Sequence, residues 1–245
     1  MNHFRFVLLS LSLFVSTCLA GVTSTIETNY GCLAPTNSFT QGFDVKIYEY
    51  PKLEEYYKSS TYYYTKYRTL DISASATAVS GAPSFSHTDY SVSKTSLWKV
   101  SFNPNQFLAE FTAYLVAPAT GLYEFYFDSV DDGCMAFLGN GAFACCDSDD
   151  ISGDSENQQI LFATWTSTTG ASGDSALIYL QEGVSYPMRI VYINMNRVGS
   201  FSFTMKQNGK NLVKHAQFRT LQQFMTISHP AQLKYHKNKL LFQHH

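Results

Sequence analysis

The sequence predicts an all-β chain, an antiparallel β-sandwich. Three observations carry the fold class. Apolar residues recur at a period of two rather than 3.6 through most of the central region. Aromatics are abundant, with 17 Tyr and 19 Phe, while charged residues make up only 15%, below the roughly 25% of an average domain. Such a composition suits strands with one buried face and one neutral-polar face. Turn dipeptides such as Glu182-Gly183 and Asn208-Gly209 also separate the apolar runs. No amphipathic helix, internal repeat or phosphate-binding glycine pattern interrupts this design.

Taken in order, residues 1–20 read as a secretory signal peptide: Arg5 precedes an apolar stretch from Phe6 to Val15, and small residues follow up to Ala20. That stretch is too short for a membrane span, which needs ~20 apolar residues, and no other segment is long and apolar enough. Cleavage would leave an exported chain of net charge −3, one less than the −2 of the full sequence. The mature domain is expected over 21–225 and a polar, basic tail over 226–245. Within the domain, Phe43, Val45 and Ile47 alternate and stop at Pro51, which marks a first strand. The tyrosine-rich stretch after it fits either a helical turn or a strand, and 73–91 is small and polar enough to read as loop. From Phe107 onward three hairpins are expected: 107–127 turning at Ala-Pro-Ala-Thr-Gly, 175–194 turning at Glu182-Gly183, and 200–212 turning at Asn208-Gly209. Cys134–Gly139 reads as a short buried strand between the first two.

Several chemistries are excluded early. Mild acidity with no basic cluster argues against nucleic acid as a partner. Four of the six histidines beyond the signal, His229, His236, His244 and His245, crowd the C-terminus, a poor place for a precise base. His87 and His215 have no nucleophile paired with them by motif, and no Gly-x-Ser-x-Gly occurs. Glycoside hydrolysis asks for two carboxylates ~5–10 Å apart across a bond, which adjacent aspartates do not match. The chain is therefore read as a non-enzyme. A hydrolase or toxin component, or a protein-interaction module, remains the alternative use of the same sandwich.

Export makes disulfides available to Cys32, Cys134, Cys145 and Cys146. Four cysteines allow three pairings. A Cys145–Cys146 ring is strained, so Cys32 is expected to pair with one of that vicinal pair and Cys134 with the other.

The distinctive stretch is 121–147, GLYEFYFDSVDDGCMAFLGNGAFACCD, where Asp131 and Asp132 stand side by side. Asp-Asp-Gly is ordinary turn chemistry. Adjacent like charges are nonetheless better tolerated with a hard divalent cation between them, and calcium takes six to eight oxygens from carboxylates, carbonyls and water. A cis peptide between the two aspartates would let both carboxylates face one ion. The acidic run 147–156 fails the EF-hand pattern at Ile151 and Gln158 and reads as a solvated loop.

Together with GFDVKIYEYP near the start and YLQEGVSYPMRIVYINMNRVGSFSF near the end, this stretch resembles the fungal flocculin and GLEYA-type adhesin domain, a relative of the protective-antigen β-sandwich. The resemblance implies a calcium-dependent lectin. Asp131, Asp132 and the side chain of Asn194 would bind the ion, with the main-chain carbonyls of Asn196 and Val198. Vicinal hydroxyls of a terminal sugar of galactose, mannose or N-acetylglucosamine type would complete the shell. Asp131, Asp132 and Asn194 would also contact the sugar, and Met195 and Arg197 would set its specificity; Trp165, from another loop, reads either as an aromatic wall for the sugar or as a half-buried sandwich residue. The chain departs from the flocculin loop in carrying Val198 where that loop has tryptophan, and it lacks the long Ser/Thr-rich stalk and wall anchor. The implied location is secreted, free or associated with the cell wall.

Overall fold

A computed structural model describes residues 31, 39–49, 66–144, 159–165, 172–195, 197–212 and 217–221. The expected signal peptide, the basic tail, Cys32, Cys145, Cys146, Asn196 and the 147–156 acidic run lie outside them. The described chain is built almost wholly of strands: β1 (Phe39–Gln41), β2 (Phe43–Tyr48), β3 (Ile72–Val79), β4 (Ser84–His87), β5 (Thr95–Leu97), β6 (Val100–Phe102), β7 (Phe107–Val116) and β8 (Gly121–Val130). They continue as β9 (Gly133–Leu138), β10 (Gln159–Thr164), β11 (Ser172–Leu180), β12 (Ser185–Asn194), β13 (Gly199–Gln207), β14 (Lys210–Asn211) and β15 (Gln217–Leu221).

Two antiparallel sheets form the sandwich. The larger runs β1-β15-β7-β12-β9-β10, with β2 on β7 and β3 on β2; the smaller runs β11-β8-β13-β14, with β4 also on β13. Their inner faces share one aromatic core. Phe107, Phe111, Phe125, Phe127, Tyr192, Phe201 and Phe203 are all buried in it. Trp98 reaches it from the β5–β6 turn and stacks on Phe102 with an interplanar angle of 5°.

The two expected hairpins at 107–127 and 175–194 are not hairpins. Strand β7 pairs with β12, β15 and β2 in the larger sheet, while β8 pairs with β11 and β13 in the smaller. Residues 117–120 and 181–184 are therefore arches that cross from one sheet to the other. The reason is visible in the burial. Every residue of β12 is buried, as is all of β7 except Val116, so these strands are covered on both faces and cannot show one wet side. The third turn is a true hairpin: β13 pairs with β14 through Asn208 (φ 50°) and Gly209 (φ 74°), the paired left-handed residues of a tight two-residue turn. The small polar stretch read as loop contains β3 and β4; β3 pairs along β2 despite its Ser and Ala content.

The outer face of the larger sheet is covered by a second apolar cluster. Tyr67, on a 3-10 turn at Lys66–Thr69, and Phe143, just past another at Gly139–Gly141, pack there with Leu108, Tyr114, Phe137 and Val191. Inside it lies a buried polar network. The Tyr67 hydroxyl donates to Glu110 Oε2 and accepts from Arg189 Nη1 at 2.9 Å. Arg68 Nε donates to the same carboxylate oxygen at 2.8 Å. Arg189 also donates to the carbonyls of Ala142 (2.9 Å) and Gly141 (3.2 Å), with its guanidinium 4.0 Å above the Phe137 ring. Burial pushes the Tyr67 hydroxyl up to about 12, against the pull of Arg189, so it remains a donor.

Of the four cysteines expected to form disulfides only Cys134 lies among the described residues. It is a free thiol, fully buried in β9 among core side chains, and burial raises its pKa well above the ordinary value. Its strand position turns Sγ into the core.

Removing one member of a buried charge network strands the others, which typically costs about 3–5 kcal/mol. Arg189→Met should therefore lower stability by about that amount, seen as a lower urea midpoint at unchanged slope. A midpoint like that of the unaltered chain would show the network to be energetically neutral.

Candidate functional site

The aspartate pair sits where β8 hands over to β9, and the sheet pairing decides what it meets. Ile193 of β12 is opposite Gly133 of β9, so the end of β12 is brought beside Asp132. Two main-chain bonds lock the turn from either side: Asp131 N–H donates to Ser200 O at 2.8 Å, and Trp165 N–H donates to Asp132 O at 2.8 Å. Met195 N–H donates to Asp132 Oδ2 at 2.7 Å, so the second aspartate already holds the start of the 195–198 loop. Asp131 Oδ1 accepts the N–H of Asp132 at 3.0 Å.

The expected cis peptide is absent: all described peptide bonds are trans. The chain reverses through left-handed backbone at Ser129 (φ 49°) and Asp132 (φ 67°), a conformation that aspartate tolerates better than most residues. Burial raises the Asp131 carboxyl above its ordinary 3.8, opposed by the hydrogen bond from Asp132 N–H.

Asn194 is the third member. It is 0% exposed at the end of β12. Its Nδ2 donates to Pro104 O at 2.6 Å and, at 3.4 Å, to Arg197 O, which fixes the orientation of the amide. The opposite atom, Oδ1, is buried with no hydrogen-bond partner. A buried carbonyl oxygen left without a donor costs free energy, on the order of 1–3 kcal/mol. Gly199 lies against it: an added Cβ would stand 2.8 Å from Asn194 Cγ and Oδ1 and 2.6 Å from Tyr192 Oη. The two carboxylates and the orphaned amide oxygen are all oxygen donors, the kind a hard cation takes, and the bond from Met195 N–H to Asp132 Oδ2 ties the two segments that carry them. Among the described residues no group of three or more His, Cys, Asp or Glu that could hold a metal ion is gathered.

The specificity candidates are gathered less tightly. Met195 is half-buried, whereas Arg197 and Val198 are exposed, Val198 at 42%. Trp165 is 40% exposed and is tied by its backbone N–H to Asp132 O. Arg197 adopts φ 68°, and its N–H donates to Asn105 O at 2.8 Å.

That last bond belongs to a support the sequence reading missed. The segment Asn103-Pro104-Asn105-Gln106 holds Asn194, Met195 and Arg197: Pro104 O accepts from Asn194, Asn105 O accepts from Arg197, and Gln106 Nε2 donates to Met195 O at 3.3 Å. Asn-Pro-Asn just before a strand is a turn signal visible in the sequence, but its tie to a loop ninety residues away is not.

Residues 107–207 match the family model described as the GLEYA domain. In Saccharomyces cerevisiae, Flocculation protein FLO9 is 32% identical over 101 residues and Flocculation protein FLO1 is 31% identical over 102, each 41% of this chain. The matched stretch spans only 8% and 7% of those two proteins. Two solved structures from Candida glabrata, each in complex with Galβ1-3GlcNAc, share the fold. The A domain of Epithelial Adhesin 6 has TM-score 0.66 at 22% identity, covering 77% of this chain and 91% of that one. The A domain of Epithelial Adhesin 9 has TM-score 0.67 at 21% identity, covering 78% and 94%. The chain thus resembles the GLEYA-type adhesin domains in its motifs, in its sequence over 107–207 and in the fold of its larger part.

Proposed function

We propose that this chain is a secreted, calcium-dependent lectin that binds terminal sugars of cell-surface or cell-wall glycans. The observation that carries the reading is Asn194 Oδ1, buried and without a donor, on the amide that closes the loop held by Asp132. Asp131 and Asp132 would give carboxylate oxygens, Asn194 its Oδ1, and Asn196 and Val198 their carbonyls. Bound calcium would supply coordination positions for two vicinal sugar hydroxyls and would relieve the repulsion between the aspartates. The same carboxylates would accept hydrogen bonds from those hydroxyls, so only a sugar with correctly oriented neighbours fills both roles. Met195, Arg197 and Trp165 would line the rim and select among such sugars. The glycan in the adhesin complexes supports a galactose-type ligand for this chain as well.

Three outcomes test the reading. Asp131→Asn with Asp132→Asn keeps an acceptor for Met195 N–H but removes both charges. Glycan-array binding and the calcium-induced rise in Tm should both vanish while the circular dichroism spectrum persists. Undiminished binding by that variant would sink the site.

Gly199→Ala drives a methyl against Asn194 Oδ1. It should cost roughly 1–3 kcal/mol, as overpacking does, and weaken calcium binding in a calorimetric titration; unchanged calcium affinity would remove Asn194 from the ligand set.

The third outcome concerns pH. Asp131 keeps its proton in the fold to a higher pH than in the unfolded chain. Without calcium its own contribution to stability therefore falls as pH rises from the ordinary carboxylate value through the raised one. With calcium the ionised form is required, and protons compete with the ion. In thermal scans from about pH 7 to about pH 4, across the carboxylate range, the calcium-induced rise in Tm should shrink steadily. A rise independent of pH would argue against carboxylate ligands.

A further inference from the structure

We infer that Tyr90, faced by Arg197, is the contact for the second sugar of a bound glycan, next to the one held by the aspartates. The inference rests on the lectin reading above. Tyr90 is 63% exposed, more than any other large apolar side chain among the described residues, and lies outside the 107–207 segment. A tyrosine left in water on a floppy loop would mean little, but this one is mounted rigidly. It sits in the tight turn Asp89–Val92, where Val92 N–H donates to Asp89 O (3.1 Å) and the N–H and hydroxyl of Ser91 donate to Asp89 Oδ1 (3.0 and 2.6 Å).

That turn is joined to the specificity loop by one side chain. Asn105 Nδ2 donates to the carbonyls of Tyr90 (3.2 Å) and Val92 (2.7 Å), and its Oδ1 is 3.0 Å from His87 Nε2. The carbonyl of the same residue accepts Arg197 N–H. The Arg197 guanidinium carbon stands 5.4 Å from the centre of the Tyr90 ring, a cation–aromatic contact that orients both side chains. Arg197 follows Met195, the residue clasped by Asp132, by two positions, so the platform continues directly from the ion site.

An exposed aromatic ring with a multi-donor cation over one of its faces matches the chemistry of a pyranose ring, which its other face would take. The apolar C–H face of the ring lies on the aromatic, and its hydroxyls accept from the guanidinium. Such a surface has no use for an ion. It should therefore add affinity for a disaccharide without altering recognition of the terminal sugar alone.

The test compares methyl β-galactoside with Galβ1-3GlcNAc on the mature chain in saturating calcium, by calorimetry. Tyr90→Ala should weaken the disaccharide by roughly fivefold to tenfold, the range of a single aromatic contact, and leave the monosaccharide unchanged; Tyr90→Phe should restore the disaccharide. Equal losses for both sugars, or no loss for either, would overturn the assignment while leaving the lectin reading intact. An unaltered chain that binds neither these two sugars nor any other glycan on an array would overturn the lectin reading, and this inference with it. Because Tyr90 is exposed, the variant's Tm should match that of the parent, and a fall in Tm with loss of both sugars would mark the residue as structural instead.

Discussion

The double-edged pairing of β12 governs the candidate site. This strand is bonded along its ten residues to β7 on one side and along Met188–Ile193 to β9 on the other, and both of its faces are buried. Its last residue, Asn194, is consequently placed by the sheet rather than by the loop that follows. Asp132 follows from the same ladder, since Gly133 is the register partner of Ile193. Two side chains sixty-two positions apart thus become neighbours through ordinary β-pairing, and Met195 N–H on Asp132 Oδ2 ties the loops together. The strained element, an amide oxygen without a donor, is located where the structure is most constrained. A rigid core can hold a polar atom in an unfavourable place, which a free loop cannot.

The second constraint is the aromatic and ionic cover on the outside of the larger sheet. Without Tyr67, Phe143 and the Glu110–Arg189 network, β7 and β12 would present Leu108, Tyr114, Val191 and Ile193 to water. Arg189 performs two tasks at once, feeding the carboxylate network through Tyr67 and satisfying the carbonyls of Gly141 and Ala142 where the chain leaves regular structure. Polar groups inside this cover are tolerated because each principal donor has an acceptor.

The all-β class and most strand positions were legible in the sequence, because period-two alternation and turn dipeptides are local. Phe43–Tyr48, Cys134–Leu138 and the Asn208-Gly209 hairpin are cases where the local signal suffices. Partner choice was not legible. Ala-Pro-Ala-Thr-Gly and Glu182-Gly183 have the residues of a hairpin turn, yet join different sheets, since burial on both faces of β7 and β12 outweighs turn chemistry. The same applies to Cys134, whose thiol direction is set by strand parity. The aspartate pair stood out by its adjacency, Asn194 could be singled out only by resemblance, the Asn103–Gln106 support shows no more than a turn signal, and Tyr90 carries no motif. Their role arises from contacts across roughly ninety residues.

The crossing arches also bear on how this chain reaches its fold. Strands adjacent in sequence are mostly not partners in space: Phe107 waits for Asn194, and Phe125 for Met205 and Ala176. Few ladders can close early, so loop-closure entropy is spent before pairing rewards it, and high contact order slows folding toward the millisecond-to-second range of sandwiches. Until β12 arrives, β7 has an aromatic-rich edge and two apolar faces open to other chains. Newly made molecules of this domain are most vulnerable to aggregation in that interval, between synthesis of the first long strand and arrival of its partner.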